Sequence, residues 1–349
     1  MNDFQKKFML KRQDYGILYP YIMMDSVTDI NWNGKQLWID DLNRGRFMAP
    51  EVLSDAFVDR FVLLLSNVSG LPFNRMNPVL EAETEELRIS IVHGCVAHGG
   101  ITISLRKIPA VRRLERTEMF ESGYCSKEIC DFLIRCVQSH CSIAICGLPG
   151  AGKTELLKFL TKFIPATERV ITIEDVLEIH YQKINPNKDC VEMKVAENFS
   201  YTDAIKACLR QLPKWIILSE ARSTEVRYLL ESLSTGAHGI TTIHTDDVRN
   251  IPDRMKNMAG GTEDLNRIEN DTYRFIDIGI LVKSFQDDRG RIRRKIEQIG
   301  VFDRYGREWK ESINEIAMIV EDGKIVSRKF PVNIERRFIE AGFPDPLGG

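Results

Sequence analysis

Residues 147–154 read Gly-Leu-Pro-Gly-Ala-Gly-Lys-Thr, a complete Gly-x-x-x-x-Gly-Lys-Thr phosphate loop. Such a loop constrains the fold strongly, because it needs a buried strand before it and a helix after it. Its glycines let successive backbone N–H groups turn toward one concave point, and the helix adds its positive N-terminal dipole. Residues 142–146 are apolar and strand-like, and residues 154–160 are typical of a helix. This context disfavours a fortuitous glycine turn and predicts a nucleoside triphosphate site.

The phosphate loop also predicts roles for its side chains. Lys153 would reach the β- and γ-phosphates, and the Thr154 hydroxyl would bind Mg²⁺. The cofactors expected from the motif are therefore ATP and Mg²⁺. The residues predicted to form the nucleotide site are Gly147, Pro149, Gly150, Ala151, Gly152, Lys153, Thr154 and Glu155.

Length and charge limit the classes of protein that this chain can represent. Its 349 residues suggest two domains, and a formal net charge of −2 gives no global attraction to nucleic acid. The sequence contains no run of about 18 apolar residues, so no transmembrane helix is predicted. The first residues lack the apolar stretch of a signal peptide. We therefore expect a cytoplasmic protein that reaches the inner face of a membrane only through partners.

The pattern along the chain predicts two domains of different kinds. Strand-like segments, a turn at Gly34-Lys35 and a helical period over 50–69 predict a small α/β domain with an antiparallel sheet at 1–106. A charged segment at 107–122 is typical of a linker. Beyond it, expected strands at 142–146, 169–174, 215–219 and 240–244 alternate with helices beginning near 153, 202, 224 and 246. This alternation predicts a parallel sheet with helices on its faces over 123–349, with further strands at 275–283 and 296–301.

Five of the eight cysteines fall between residues 125 and 146. A zinc site is one interpretation, but there is no Cys-x-x-Cys spacing and no matching histidine pair. Reduced thiols buried as small apolar side chains are the favoured interpretation.

Acidic residues follow two of the predicted strands. Glu174 and Asp175 end the strand at 169–174, where carboxylates lie beside the phosphates in this class of sheet. Asp175 is a candidate Mg²⁺ ligand and Glu174 a candidate catalytic residue, although an acidic helix N-cap would give the same pattern. Glu220 follows the apolar run 215–218 and is a candidate general base, with a solvated strand end as the alternative.

Histidines and arginines complete the candidate site. His244 ends the strand at 240–244 and could sense the γ-phosphate, whereas His238 fits either that role or a core position equally well. An arginine can stabilise phosphoryl transfer, from the same chain or another subunit. The candidates are Arg88, Arg106, Arg112, Arg113, Arg116, Arg210 and Arg222. The basic run at 289–295 is typical of a solvated hairpin turn.

Taken together, these residues make the chain resemble the secretion-superfamily ATPases, which are motors of type II and type IV secretion, type IV pili and the Tad/Flp pilus. The resemblance spans about residues 25 to 302 and is greatest for the type IV secretion and Tad branches. Segments 71–81, 87–88 and 99–107 resemble the family's N-terminal domain, and residues 147–154 its Walker A motif. The segments 174–178, 210–222 and 235–244 resemble its Asp box, Walker-B region and His box.

The resemblance implies a RecA-like P-loop domain preceded by a smaller, PAS-like α/β domain. It further implies a hexameric ring that hydrolyses ATP to drive transport or pilus assembly through an inner-membrane platform protein. Nucleotide would bind between the two domains, with Lys153, Glu174, Glu220, Arg222 and His244 as catalytic residues. Arg88 and Arg106 would complete the nucleotide site from the first domain.

The chain also departs from the family pattern. Ser219 and Ser223 stand where the family has glycine, and Glu155 stands where threonine or serine is usual. In the His box, His238 is displaced by one position, whereas His244 keeps its place. These departures leave open a nucleotide-binding ring scaffold with little hydrolysis. A nucleic-acid motor is a further alternative, which the charge and the lack of an aromatic, basic groove disfavour.

Overall fold

The computed structural model describes residues 10–196, 198–260, 265–288, 290–306 and 312–348. The chain divides into two compact units. The first comprises residues 1–110 with 286–292, and the second comprises 111–285 with 293–349. No described helix has the length and apolarity that a membrane span requires.

The first unit is built on a six-stranded antiparallel sheet in the order β3-β2-β1-β6-β5-β4. Its elements are α1 (Arg12–Tyr15), α2 (Tyr19–Met23), β1 (Val27–Trp32), β2 (Leu37–Asp41), β3 (Gly45–Met48), α3 (Asp55–Ser69), β4 (Val79–Glu83), β5 (Leu87–Val92) and β6 (Thr102–Lys107). The antiparallel sheet and the hairpin at Gly34, whose φ is +92°, are as predicted. Alternating burial along β2 and β5 places one face of the sheet in an apolar core.

Helix α3 covers this core and begins later than the sequence pattern predicts. Ser54 caps it, since the hydroxyl accepts the backbone N–H of Phe57 at 3.3 Å. Residues 50–54 therefore precede the helix, and the predicted start at residue 50 is wrong by five residues. The helix buries Phe61 and Leu65 and ends at Gly70, where φ is +72°.

The second unit contains a nine-stranded sheet in the order β15-β14-β13-β12-β7-β11-β10-β8-β9. Its strands are β7 (Ile143–Cys146), β8 (Val170–Glu174), β9 (Cys190–Lys194), β10 (Trp215–Leu218), β11 (His238–Ile243), β12 (Ile278–Gln286), β13 (Ile292–Tyr305), β14 (Ile313–Glu321) and β15 (Lys324–Ile325). Strands β12, β7, β11, β10, β8 and β9 pair in parallel, which confirms the predicted α/β fold with a parallel-sheet core. Strand β14 pairs antiparallel with both β13 and β15, and so extends the sheet at one edge.

The helices of this unit connect or cover these strands. They are α4 (Arg116–Glu121), α5 (Lys127–Gln138), α6 (Lys153–Thr161), α7 (Tyr181–Ile184), α8 (Tyr201–Leu209), α9 (Glu225–Ser234), α10 (Ile251–Ala259), α11 (Leu265–Phe275) and α12 (Val332–Glu340). Helix α4 lies within the segment predicted as a linker, and its Met119 is fully buried. The helix expected near residue 246 begins at Ile251, after a 3-10 turn. The strand expected from 275 begins at Ile278, because α11 continues to Phe275.

The C-terminal segment, for which the sequence pattern offered no role, completes the core of the second unit. Phe338 of α12 stacks on Phe132 of α5 with ring centroids 5.8 Å apart. Arg337 forms an ion pair of 2.6 Å with the buried Asp277. The same Asp277 oxygen accepts the backbone N–H of Ser142 at 2.7 Å, directly before β7. The cysteines at 125, 130, 136, 141 and 146 are all buried here, in accordance with the favoured interpretation.

Candidate active site

The phosphate loop lies between β7 and α6, as its sequence requires. All four residues of β7 are buried, and α6 begins at Lys153 directly after Gly152. Three loop glycines, Gly147, Gly150 and Gly152, have φ values of +151°, +76° and +93°. A Cβ at residue 147 would lie 2.5 Å from the carbonyl oxygen of Val282, so β12 supports the loop at close range. The positive φ values of the loop and the close approach of Val282 to residue 147 therefore both favour glycine.

Lys153 lies folded back over the loop. Its side chain is largely buried, and Nζ donates to the carbonyl oxygens of Gly147 at 2.9 Å and Leu148 at 3.3 Å. Nζ also lies 3.1 Å from Nδ1 of His244. Burial lowers the pKa of Lys153, and the negative charge of Glu220 acts in the opposite direction. The amine is therefore held at the loop by neutral acceptors that a phosphate could replace.

A continuous chain of polar contacts connects this lysine to the ends of two further strands. Nε2 of His244 lies 2.8 Å from one carboxylate oxygen of Glu220, and Arg222 bonds the other oxygen at 2.7 Å. Arg222 also bonds Asp175 at 2.6 Å. An imidazole that carries its proton on Nε2 satisfies both contacts of His244. We call these five residues, Lys153, His244, Glu220, Arg222 and Asp175, the Lys–Asp chain.

The parallel sheet explains why residues so distant in sequence meet here. His244 directly follows β11, Glu220 follows β10 by two residues, and Asp175 directly follows β8. The carboxyl ends of parallel strands meet at one edge of a sheet, next to the end of β7. The hydrogen bond to Glu220, followed by the charge of Asp175, raises the pKa of Arg222. The negative charges of Asp175 and Glu220 thus balance the positive charges of Lys153 and Arg222.

Glu174, the preceding carboxylate, has a different environment. It is completely buried, and its Oε2 accepts the backbone N–H groups of Glu178 and Ile179, each at 3.0 Å. Burial raises its pKa to about 8, against the lowering effect of these hydrogen bonds. Its Oε1 has no hydrogen-bond partner among the described residues. Glu174 therefore fixes the turn after β8 and is not a member of the Lys–Asp chain.

The remaining predicted loop residues lie around the first turn of α6. Pro149 and Gly150 are exposed, Ala151 is buried, and Thr154 is half-buried. Glu155 faces its own helix and the backbone at residue 113. Its carboxylate lies 3.8 Å from Nζ of Lys158 and accepts the backbone N–H of Arg113 at 3.4 Å.

The two arginines predicted from the first domain are neighbours in the first unit. Arg88 on β5 lies directly opposite Arg106 on β6. Arg106 also forms an ion pair of 2.8 Å with Asp29 on β1. Two like charges directly opposite each other repel, and the carboxylate of Asp29 offsets this repulsion.

His238 is placed at the opposite end of β11 from His244. The two are six positions apart, which is about 20 Å along a strand, and His238 pairs with Trp215 at the start of β10. Its ring lies 4.8 Å from that of His140 and 5.5 Å from that of Trp215. Burial lowers the pKa of His238 to about 3. Of the two interpretations of His238, the structure therefore favours the core position.

One residue beside the loop was missed by the sequence pattern. Arg294 lies on β13, and its Nε donates to the carbonyl oxygen of Gly150 at 3.3 Å. The basic run at 289–295 is typical of a solvated turn, but β13 already begins at Ile292. The assignment is wrong for Arg294, and residue 289 lies outside the described residues. The strand predicted at 296–301 is present, but it begins earlier, at Ile292.

Known proteins resemble this chain in sequence and in fold. The model of a family described as Type II/IV secretion system protein matches residues 73–270. An uncharacterized protein of Bacillus anthracis is 30% identical over 261 residues, which are 74% of this chain and 59% of that protein. A Mycobacterium tuberculosis protein named for conjugal transfer is 26% identical over 301 residues, 82% of this chain and 84% of its own length. The chain thus spans less than two thirds of the first relative and most of the second.

A solved structure shows the same fold. The ATPase DotB of Legionella pneumophila superposes with a TM-score of 0.59 at 20% identity, covering 79% of this chain and 77% of DotB. At this level of identity the similarity concerns the arrangement of strands and helices.

Proposed function

The chain belongs to the type II/IV secretion system protein family, and on that premise we propose that it is a Mg²⁺-dependent ATPase. The observation that carries this proposal is the Lys–Asp chain, which connects the phosphate-loop lysine to Glu220 through His244. A loop that binds phosphate and a carboxylate that can accept a proton are the two elements that hydrolysis needs. Here they are coupled by direct contacts.

Binding of ATP changes the partners of Lys153. The phosphate oxygens carry full charge and replace the neutral carbonyls of Gly147 and Leu148 as acceptors for Nζ. The same movement draws Nζ away from His244, which frees Nδ1 of the imidazole. His244 thereby senses the γ-phosphate. Its contact with Glu220 transmits the change to that carboxylate.

Glu220 is the proposed general base. In the present arrangement both of its carboxylate oxygens are engaged, one by His244 and one by Arg222. Each oxygen has a second lone pair, through which Glu220 can accept a proton from the attacking water. Arg222, bonded to Glu220, is the residue proposed to stabilise the negative charge of the transition state.

Mg²⁺ fits the donors that the site offers. Within the ranges given above, no three His, Cys, Asp or Glu side chains are placed to hold a metal ion by themselves. Mg²⁺ in nucleotide sites is commonly held by one or two protein oxygens together with phosphates and water. The Thr154 hydroxyl and the Asp175 carboxylate are the proposed donors, and Asp175 must first release Arg222. When bound, the ion supplies neutralisation of the phosphate charge.

A ring scaffold with slow hydrolysis is the second candidate function. It is favoured by one observation: both carboxylate oxygens of Glu220 are hydrogen-bonded, one to His244 and one to Arg222, which fixes the orientation of the carboxylate. In this alternative the chain binds ATP and assembles, but Glu220 stays paired with Arg222.

The proposed biological role rests on the family. We propose a hexameric motor at the cytoplasmic face of the membrane that acts on an inner-membrane platform protein, with Arg88 and Arg106 completing the nucleotide site. Transport, conjugation and pilus assembly are the candidate processes. A relative named for conjugal transfer supports this range.

The test is ATP turnover by the purified chain, with particle mass read on the same samples. Lys153→Ala and Glu220→Gln are expected to lower turnover by at least about 100-fold, while Glu220→Gln still binds ATP. Lys162→Ala and Glu231→Gln make the same chemical changes elsewhere in the second unit and serve as controls. Binding of ATP without Mg²⁺-dependent turnover in the unmodified chain would instead establish the scaffold. No binding of ATP would refute both candidates.

A further inference from the structure

Arg294 packs directly on the phosphate loop from the same unit. A Cβ at residue 152 would lie 2.9 Å from its Cδ and 3.2 Å from its Nε. The Arg294 side chain therefore fills the space where a side chain at residue 152 would lie. With its Nε bonded to the carbonyl of Gly150, the guanidinium lies across the turn that precedes Lys153.

The guanidinium is not neutralised by the protein around it. The bond from Nε to Gly150 is its one hydrogen bond to the described residues, and none of their carboxylates lies within 4.0 Å of it. Glu155 opposes its charge from a greater distance, whereas Arg113 adds to the positive charge. Lys153 and the N-terminus of α6 are positive as well. The half-buried guanidinium of Arg294 therefore has no carboxylate within ion-pair distance among the described residues.

We propose that Arg294 binds the phosphates of the nucleotide as a second cation beside Lys153, supplied by the same chain. A planar guanidinium offers paired donors that match phosphate oxygens, and its two terminal nitrogens have no partner among the described residues. The contact with Gly150 then positions Arg294 before the nucleotide arrives. Glycine at 152 is needed for this approach as well as for its φ of +93°.

This inference rests on the proposed nucleotide site and is tested by binding, without turnover. The affinities for ATP and ADP are measured by calorimetry for the unmodified chain, Arg294→Gln and Arg294→Lys. Arg293→Gln removes the same charge from the neighbouring position of β13 and serves as the matched control. We expect Arg294→Gln to weaken ATP binding by about 10- to 100-fold. Arg294→Lys is expected to fall between it and the unmodified chain.

Thermal unfolding without nucleotide separates phosphate binding from packing. Removal of an uncompensated cation is expected to leave the melting temperature unchanged or higher. The increase in melting temperature on adding ATP is then smaller in Arg294→Gln than in Arg293→Gln. Unchanged affinity for ATP in a folded Arg294→Gln variant would overturn the inference. Equal losses in Arg294→Gln and Arg293→Gln would overturn it too.

The outcome for Arg294 is distinguishable from that for the proposed function. If the unmodified chain binds ATP and Lys153→Ala does not, the nucleotide site stands whatever Arg294→Gln does. If the unmodified chain does not bind ATP, the proposed function fails before Arg294 is tested. Should Arg294→Gln not fold, the affinity of Arg294→Lys decides, with unchanged affinity counting against the inference.

Discussion

Replacing Glu174 by glutamine should remove a pH dependence from the stability of the second unit. The carboxyl group is completely buried, and burial raises its pKa from 4.5 to about 8. In the unfolded chain the proton leaves near pH 4.5, whereas in the folded chain it leaves near pH 8. The unfolded state therefore binds fewer protons between these values, and the free energy of unfolding falls as the pH rises.

The size of the effect follows from the two pKa values. The slope approaches about 1.4 kcal/mol per pH unit between them, so raising the pH from 5 to 8 costs about 3 kcal/mol. For a unit of this size the loss corresponds to about 6–12 °C in melting temperature. Glutamine has no proton to lose, and its carbonyl oxygen can still accept the N–H groups of Glu178 and Ile179.

The assay is the melting temperature of both proteins at pH 5 and pH 8. The change in melting temperature between the two pH values is compared between Glu174→Gln and the unmodified protein. This comparison removes any pH-independent destabilisation by the amide and the titration of all other groups. Glu231→Gln, which makes the same change at an exposed position of α9, should behave like the unmodified protein. Equal pH dependence in Glu174→Gln and the unmodified protein would refute the reasoning, because Glu174 would then ionise normally.

Two further substitutions test the packing around the site. Arg337→Leu leaves the buried Asp277 without its ion-pair partner and should lower the free energy of unfolding by about 3–5 kcal/mol. Arg336→Leu, at an exposed position, should change it by less than about 0.5 kcal/mol, and similar melting curves of the two variants would contradict this. Gly147→Ala places a Cβ 2.5 Å from the carbonyl of Val282 and should abolish ATP binding measured by calorimetry. Gly123→Ala, where φ is also positive but the space is open, should bind ATP normally, and normal binding by Gly147→Ala would disprove the close approach.

The sequence predicted best those features that local pattern determines. The phosphate loop carries its own glycines, and the apolar runs of β7, β8 and β10 are buried on both faces, so strands and loop were found nearly in place. Helix α3 was predicted, but its start was placed too early, because apolar spacing does not show which serine caps the helix. The antiparallel sheet of the first unit followed from its hairpin turn and short strands.

The features that were missed depend on contacts between distant parts of the chain. Arg294 lies more than 140 positions from Gly150, and no local pattern distinguishes it from the other arginines of its basic run. Glu174 was recognised as an acid at a strand end, but its burial depends on how residues 178 and 179 turn back over it. The role of α12 was also missed, although Ile334 and Phe338 have the spacing of a buried helical face.

The C-terminal residues have a consequence for how the protein is made. Phe330, Ile334, Phe338 and Leu347 share one apolar cluster with α5 and β7. During synthesis, domains generally fold as units in order from the N-terminus. The interior of the second unit stays open until residues 330–347 have left the ribosome, long after the phosphate loop has been synthesised. A messenger truncated before this point would therefore yield a chain with its nucleotide motif intact and its apolar interior exposed, a natural target for chaperones and proteases.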